Sequence, residues 1–389
     1  MNRIVDVVNL NADASCLDSE LWLSQLEGGR NSILFQWLSL YVDLNKKISL
    51  GIPGASLADI AEFNPDSIEL IRNNPQVFEI IVRPFAHDNA LLRTRYGFES
   101  NLKYGLKTIE SLFGRQSHFF LPPEFMCNSE QIYTLQQNGI QGIFIQPGRF
   151  NDEVQERIPD IPYEVRGVLG SKLNCIPFNS ALTRSFLDGI HHYNADKWNA
   201  AVTDNPGDLM FSWRDGESAF LLPNTVKRES AWLKSESEHI ERVFLSELEI
   251  EFLPNEQLEE SSFKSYPIHS FAPWLREMRM IGFTNKVQKI EELLEVLEAQ
   301  KVFHWLMIIN SDILSSVEKS SPKIEILNKE SNELEEIILW RSERGFEGEE
   351  YLSLLKELGS NVYQKSTQSS SAHLRKFNAR IDFLSGLSN

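Results

Sequence analysis

Two acidic residues stand where apolar, strand-like runs break into loops. Glu124 closes the run Leu121-Pro122-Pro123-Glu124, and Asp215 lies in Phe211-Ser212-Trp213-Arg214-Asp215-Gly216-Glu217. A pair of carboxyl groups facing one glycosidic bond is the minimum equipment for cleaving or transferring it. In a retaining reaction one is an ionised nucleophile and the other an acid, later a base, with oxygens about 5–5.5 Å apart. The prolines before Glu124 restrict its backbone and favour a fixed side chain. The plainer reading is that Glu124 caps the helix starting near Ser129. Beside Asp215, Glu217 would raise its pKa and Arg214 would lower it. Asp-Gly is also a turn signal, so a strand-to-strand turn competes with an acid/base role.

Other side chains offer contacts to a sugar. His87, in Phe85-Ala86-His87-Asp88, is a hydrogen-bonding partner for a hydroxyl beside Glu124, or a structural histidine. With Asp13 it also supplies two ligands of a metal site, but no His-x-x-x-His completes the set. Trp213 and Trp274 are candidates for stacking on a pyranose, although buried aromatics are more often plain core. His191-His192 reads as a loop without chemistry. Cys16, Cys127 and Cys175 have no CxxC spacing and read as free thiols of a reducing compartment.

Strand-like runs alternate with helical ones. Ile4–Leu10, Ile48–Ile52, Val77–Val82, His118–Leu121, Gly142–Ile145, Lys172–Phe178 and Leu209–Trp213 read as strands. Ser19–Leu26, Ile33–Val42, Ser56–Phe63, Phe98–Phe113 and Ser129–Asn138 read as helices. This alternation predicts a parallel sheet or barrel, in which chemistry sits at the carboxyl ends of strands. Asp13, His87, Glu124 and Asp215 all fall there. From about Thr284 the chain turns helical, with Val287–Leu297, Val302–Ile309, Leu334–Trp340 and Ala372–Leu384. The expected division is a barrel over 1–283 and a helical region over 284–389.

The chain has 389 residues, 42% apolar and 11% aromatic, enough for a large core. Its formal charge of -17 argues against a general nucleic-acid binder and gives no support for an anionic membrane. No run of membrane-spanning length occurs, and a cytoplasmic location is expected.

The order of motifs resembles glycoside hydrolase family 57. The likeness is carried by Glu79-Ile80-Ile81-Val82-Arg83-Pro84-Phe85-Ala86-His87, then Phe119-Phe120-Leu121-Pro122-Pro123-Glu124, then Asn174-Cys175-Ile176-Pro177-Phe178 and Trp213-Arg214-Asp215-Gly216-Glu217. Ser270-Phe271-Ala272-Pro273-Trp274 and Asn310-Ser311-Asp312 extend it to about residue 315. The resemblance implies a distorted parallel (β/α)7 barrel with a C-terminal helical region. It further implies Glu124 as nucleophile and Asp215 as acid/base of a retaining enzyme on α-linked glucan or a related polysaccharide. Asn11, Asp13, His87, Trp213, Trp274 and Asp312 become candidate substrate contacts. No metal or organic cofactor is required by such a mechanism. Two departures stand out. Asn11-Ala12-Asp13 occupies the place of the family's His-Gln-Pro, and its Trp-His-Gly is missing after Asp312. They keep two rivals open: a metal-dependent polysaccharide deacetylase on a related barrel, and an inactive barrel that binds glycan or a protein. The C-terminal helices would then be the protein-binding surface.

Overall fold

The computed structural model describes residues 2–13, 19–114, 118–145, 162–179, 182, 195–204, 208–220, 224–252, 278–292, 294, 299–309 and 370–387. Strand β1 (Asn2–Asn9) leads to α1 (Ser19–Leu26) and α2 (Ile33–Asp43). Next come β2 (Ile48–Gly51), α3 (Gly54–Phe63), α4 (Pro65–Asn73), β3 (Phe78–Ile81) and α5 (Arg95–Phe113). They are followed by β4 (Phe119–Phe120), α6 (Ser129–Gln137), β5 (Gly142–Ile145), β6 (Tyr163–Arg166), β7 (Lys172–Pro177) and α7 (Ala195–Thr203). β8 (Leu209–Asp215), α8 (Gly216–Phe220), α9 (Thr225–Ser235) and β9 (Ile240–Arg242) complete the alternation. Helices α10 (Met278–Glu291), α11 (Ala299–Ile308) and α12 (Ser370–Leu387) follow.

Strands β3-β2-β1-β8 form one parallel sheet, and β4-β5-β7 form another, with β6 antiparallel on β7. Two seams join the sheets. Val82 and Phe120 form a parallel bridge, and the Asn179 N–H donates to the Phe211 carbonyl at 2.8 Å. The result is a ring of parallel strands in the order β1-β2-β3-β4-β5-β7-β8. It is distorted because β1 pairs with β2 only through Val7–Asn9, while β9 takes Asn2–Ile4. Glu79 braces that gap by accepting from Ser49 Oγ at 2.8 Å and from the Leu245 and Ser246 amides at 3.3 and 3.1 Å.

The two-residue period of a strand separates the interior from the helix-covered face. Val5, Val7, Ile81, Leu121, Phe144, Ile176, Phe178, Phe211 and Trp213 pack inside the ring. Ile4, Val8, Leu50, Ile80, Phe120 and Ile143 pack outward with helical residues such as Trp22, Trp37, Leu57 and Leu102. The same parity turns Asn9, Arg83 and Asp215 inward at the carboxyl end of the ring. The apolar interior forms a floor below them.

The outward face also buries charge. Asp6 lies against Arg242 at 2.6 Å, and Arg242 against Glu236 at 3.0 Å. Arg214 pairs with Glu229 at 2.8 Å and hydrogen-bonds Tyr41, which itself donates to Glu229. This network ties β1, β8 and β9 to α2 and α9. Arg214 therefore points away from the ring interior.

The expected strands and the first helices appear within a few residues of their ends. Elements the sequence reading left out are α4, β6, α7, α8, α9 and β9. Helix α4 begins with Asn64 capping Ser67 and Pro65 in its first turn, a start signal in plain sight. Helix α10 runs across the position after residue 283 where the sequence changes character. Leu334–Trp340 lies outside the described residues.

Candidate active site

Glu124 sits in a 3-10 turn, Pro123–Phe125, directly after β4. Its φ is 56° and that of Phe125 is 54°, the left-handed region that side chains other than glycine disfavour. Such conformations cost about 1–3 kcal/mol each and persist only where surroundings enforce them. Here the Phe125 and Met126 amides donate back to Pro122 and Pro123 at 3.1 and 3.2 Å. The Phe125 ring packs edge-on against Trp213 at 4.9 Å and Phe178 at 5.6 Å. Helix α6 is capped by Asn128, reciprocally with Gln131, so Glu124 is not its cap. The Glu124 side chain remains 18% exposed.

Asp215 ends β8, paired in register with Asn9 of β1. Asn9 Nδ2 donates to Asp215 Oδ1 at 3.0 Å. Gly216 begins a helix, so the Asp-Gly pair makes no strand-to-strand turn. A Cβ at Gly216 would lie 2.7 Å from Val8 Cγ1 and 3.0 Å from the Asn9 carbonyl, so only glycine lets the strand end approach this closely. Burial pushes the Asp215 carboxyl up to about 6; the Asn9 bond opposes this, the Glu124 charge adds to it, and the Arg83 charge opposes it. The sequence expectation named Glu217 and Arg214 as its tuners. Instead Arg214 faces outward, and Glu217 accepts the Asn11 amide at 3.1 Å. The groups that act are Asn9, Glu124 and Arg83, brought by other strands.

Arg83 and His87 complete the inner cluster. Arg83 Nη2 lies 2.5 Å from His87 Nδ1. A guanidinium only donates, so Nδ1 is the acceptor and the ring proton sits on Nε2. That nitrogen faces Glu124 Oε1 at 3.3 Å. Burial depresses the His87 pKa; the hydrogen bond to Glu124 opposes this, and the Arg83 charge reinforces it. The neutral imidazole therefore donates to Glu124. Arg83 follows β3 at the inward parity of Ile81, and Asn9 ends β1 at that of Val7. Neither was picked out from sequence, although strand parity was the signal for both.

Asn11 is buried, and its Oδ1 accepts the Asp13 amide at 3.1 Å. The Asp13 carboxylate is engaged by Lys376 Nζ at 2.8 Å and by Arg380 at 2.8 and 3.0 Å. Burial alone would raise its pKa, but those cations hold it well below the usual carboxylate range. Among the described residues no cluster of three or more His, Cys, Asp or Glu side chains is arranged to hold a metal ion. Trp213 is 6% exposed and belongs to the aromatic floor. Trp274, Asp312, His191, His192 and Cys16 lie outside the described residues. Cys127 and Cys175 are buried free thiols, and burial pushes the Cys175 thiol up to about 12.

The sequence matches the family model "Glycosyl hydrolase family 57" over residues 33–304. The chain belongs to glycosyl hydrolase family 57. Solved structures share its architecture. A family 57 branching enzyme from Pyrococcus horikoshii superimposes with a TM-score of 0.68 at 13% identity, covering 96% of each chain. A family 57 branching enzyme from Thermococcus kodakaraensis, solved with glucose, gives 0.64 at 12% identity and 96% of each. The 4-alpha-glucanotransferase from Thermococcus litoralis gives 0.56 at 13% identity over 94% of this chain, which spans 59% of that enzyme's length. No curated protein matches the sequence. The protein is thus a glycoside hydrolase-type enzyme, and its ring is the (β/α)7 barrel of family 57. None of the described helices is long and apolar enough to cross a membrane.

Proposed function

We propose that this family 57 enzyme cleaves or transfers α-linked glucosyl units with retention of anomeric configuration. Glu124 attacks the anomeric carbon while Asp215 gives its proton to the glycosidic oxygen, so one C–O bond forms as the other breaks. The glycosyl ester on Glu124 is then opened by water or a sugar hydroxyl, whose proton returns to Asp215. Neutral His87 donates from Nε2 to Glu124, steadying the carboxylate as it departs in the second step.

The observation that carries this reading is the unequal footing of the two carboxyl groups. Asp215 is kept protonated up to about pH 6, while Glu124 accepts a hydrogen bond from a neutral histidine. A double displacement requires one carboxyl group that keeps its proton near neutrality and a second that is held in place to attack. The α-glucan substrate is supported by the family and by the branching enzyme and glucanotransferase folds. The buried thiols Cys127 and Cys175 favour a reducing, cytoplasmic setting.

The test is an assay of wild type and Glu124→Gln on a panel of α-glucans, following reducing ends and chain-length redistribution. Wild type should act on at least one, and the variant should lose nearly all activity while still binding glucan. New reducing ends mark hydrolysis; redistribution without them marks transfer. Equal activity of both proteins would remove Glu124 as nucleophile.

A further inference from the structure

Helix α12 begins 66 residues beyond the end of the family match, yet two of its cations reach the mouth of the barrel. Lys376 and Arg380 are spaced i, i+4 and share one helix face. Both are buried, at 2% and 0% exposure. Arg380 forks between two carboxylates, meeting Asp13 at 2.8 and 3.0 Å and Asp59 of α3 at 2.8 and 2.7 Å. Lys376 meets Asp13 Oδ1 at 2.8 Å and the Ala12 carbonyl at 3.3 Å. Trp22 Nε1 adds a bond to Asp59 at 3.1 Å. Bidentate charge-assisted contacts of this kind fix geometry as well as contribute energy.

The clasped loop leads to the candidate acid. Asp13 donates its amide to Asn11 Oδ1, and the Asn11 amide donates to Glu217, two residues past Asp215. The Ala12 amide is anchored on Ser56 Oγ at 2.9 Å. Upstream, Asn9 bonds Asp215 itself. We propose that Lys376 and Arg380 are positioning residues for the reaction, holding the Asn11–Asp13 loop so that it fixes Glu217 and the seat of Asp215. The inference rests on Asp215 being the acid/base. It gives α12 a place in the active-site architecture.

The experiment is steady-state kinetics of the full chain against the α-glucan that wild type turns over, from pH 4 to 9. Lys376→Met should lower kcat about 10- to 100-fold, as displaced catalytic groups do, with KM changed far less. Water reaching a loosened Asp215 would reverse part of its desolvation, so the alkaline limb of kcat should move to lower pH. The charged groups facing Asp215 are Glu124 and Arg83, which both bond His87. Lys376→Arg should restore most of the rate. Arg375→Ala, on the same helix as Lys376, breaks an exposed contact to Glu27 beyond α1 and should leave kcat unchanged. If Lys376→Met does not melt cooperatively, Asp13→Asn is measured instead and should show the same rate and pH effects. Wild-type kcat and alkaline limb in the folded variant, with Glu124→Gln inactive, would overturn the positioning role alone. An active Glu124→Gln would overturn the double displacement and this inference with it.

Discussion

A carboxyl group that must donate a proton near neutrality has to be denied the solvent that would stabilise its anion. Asp215 meets that demand by burial, with Glu124 adding repulsion and Asn9 and Arg83 holding the shift in check. The sign of each contribution is testable. The acid form of Asp215 persists up to about 6, so kcat/KM should fall as pH rises through that value. Removing the Asn9 bond removes a contact that favours the anion. Asn9→Ala should therefore move the alkaline limb of the pH–rate profile to higher pH, and a shift to lower pH would contradict the assignment. Sequence neighbours mislead at this point. Glu217 and Arg214 flank Asp215 in the chain, but helix and strand geometry turn them elsewhere, to Asn11 and to Tyr41 and Glu229. The candidate pair itself was legible because each acid ends an apolar run. The groups that tune it were not, since they come from β1 and β3.

Each element contributes through how closely it can approach the barrel. A Cβ at Gly105 in α5 would lie 2.2 Å from the Arg83 carbonyl and 2.9 Å from Pro84. Backbone cannot swing aside as a side chain can. Gly105→Ala should push α5 off the loop that carries Arg83 and His87, at a cost of about 1–3 kcal/mol, typical of overpacking. Activity should fall by more than the lost folded fraction explains, checked by denaturant melts beside kinetics. The buried network under α2 and α9 should respond differently. Arg242→Met leaves Asp6 and Glu236 without their shared cation, and both are buried with side-chain exposures of 1% and 0%. Breaking one side of such a cluster costs about 3–5 kcal/mol, so the melting temperature should drop while kcat of the folded fraction stays the same. Strands and amphipathic helices were legible from period alone. The short β9 and the α9 helix were not, because Ile240–Arg242 is too brief for a period and the buried face of α9 carries Thr225 and the charged Glu229 beside Trp232 and Leu233.

As a molecule, the protein is a seven-fold parallel ring closed by two seams, with an aromatic floor and a polar mouth. The alternation of strands and helices in the sequence implied this class, and the motif order resembling family 57 implied the barrel. The reach of α12 onto the loop after β1 was not legible. A contact between Asp13 and Arg380 spans 367 positions, and no local pattern announces it. Among the described residues at the mouth, Lys376 and Arg380 are paired with Asp13 and Asp59, and Arg83 is bonded to His87. The most direct test of the whole account is to trap the intermediate. An activated fluorinated glucosyl donor that forms the ester faster than water opens it would be incubated with the enzyme, and the digest mapped by mass spectrometry. One added glycosyl residue is expected on the peptide carrying Glu124. A label on any other carboxylate, or turnover with inversion and no label, would contradict it.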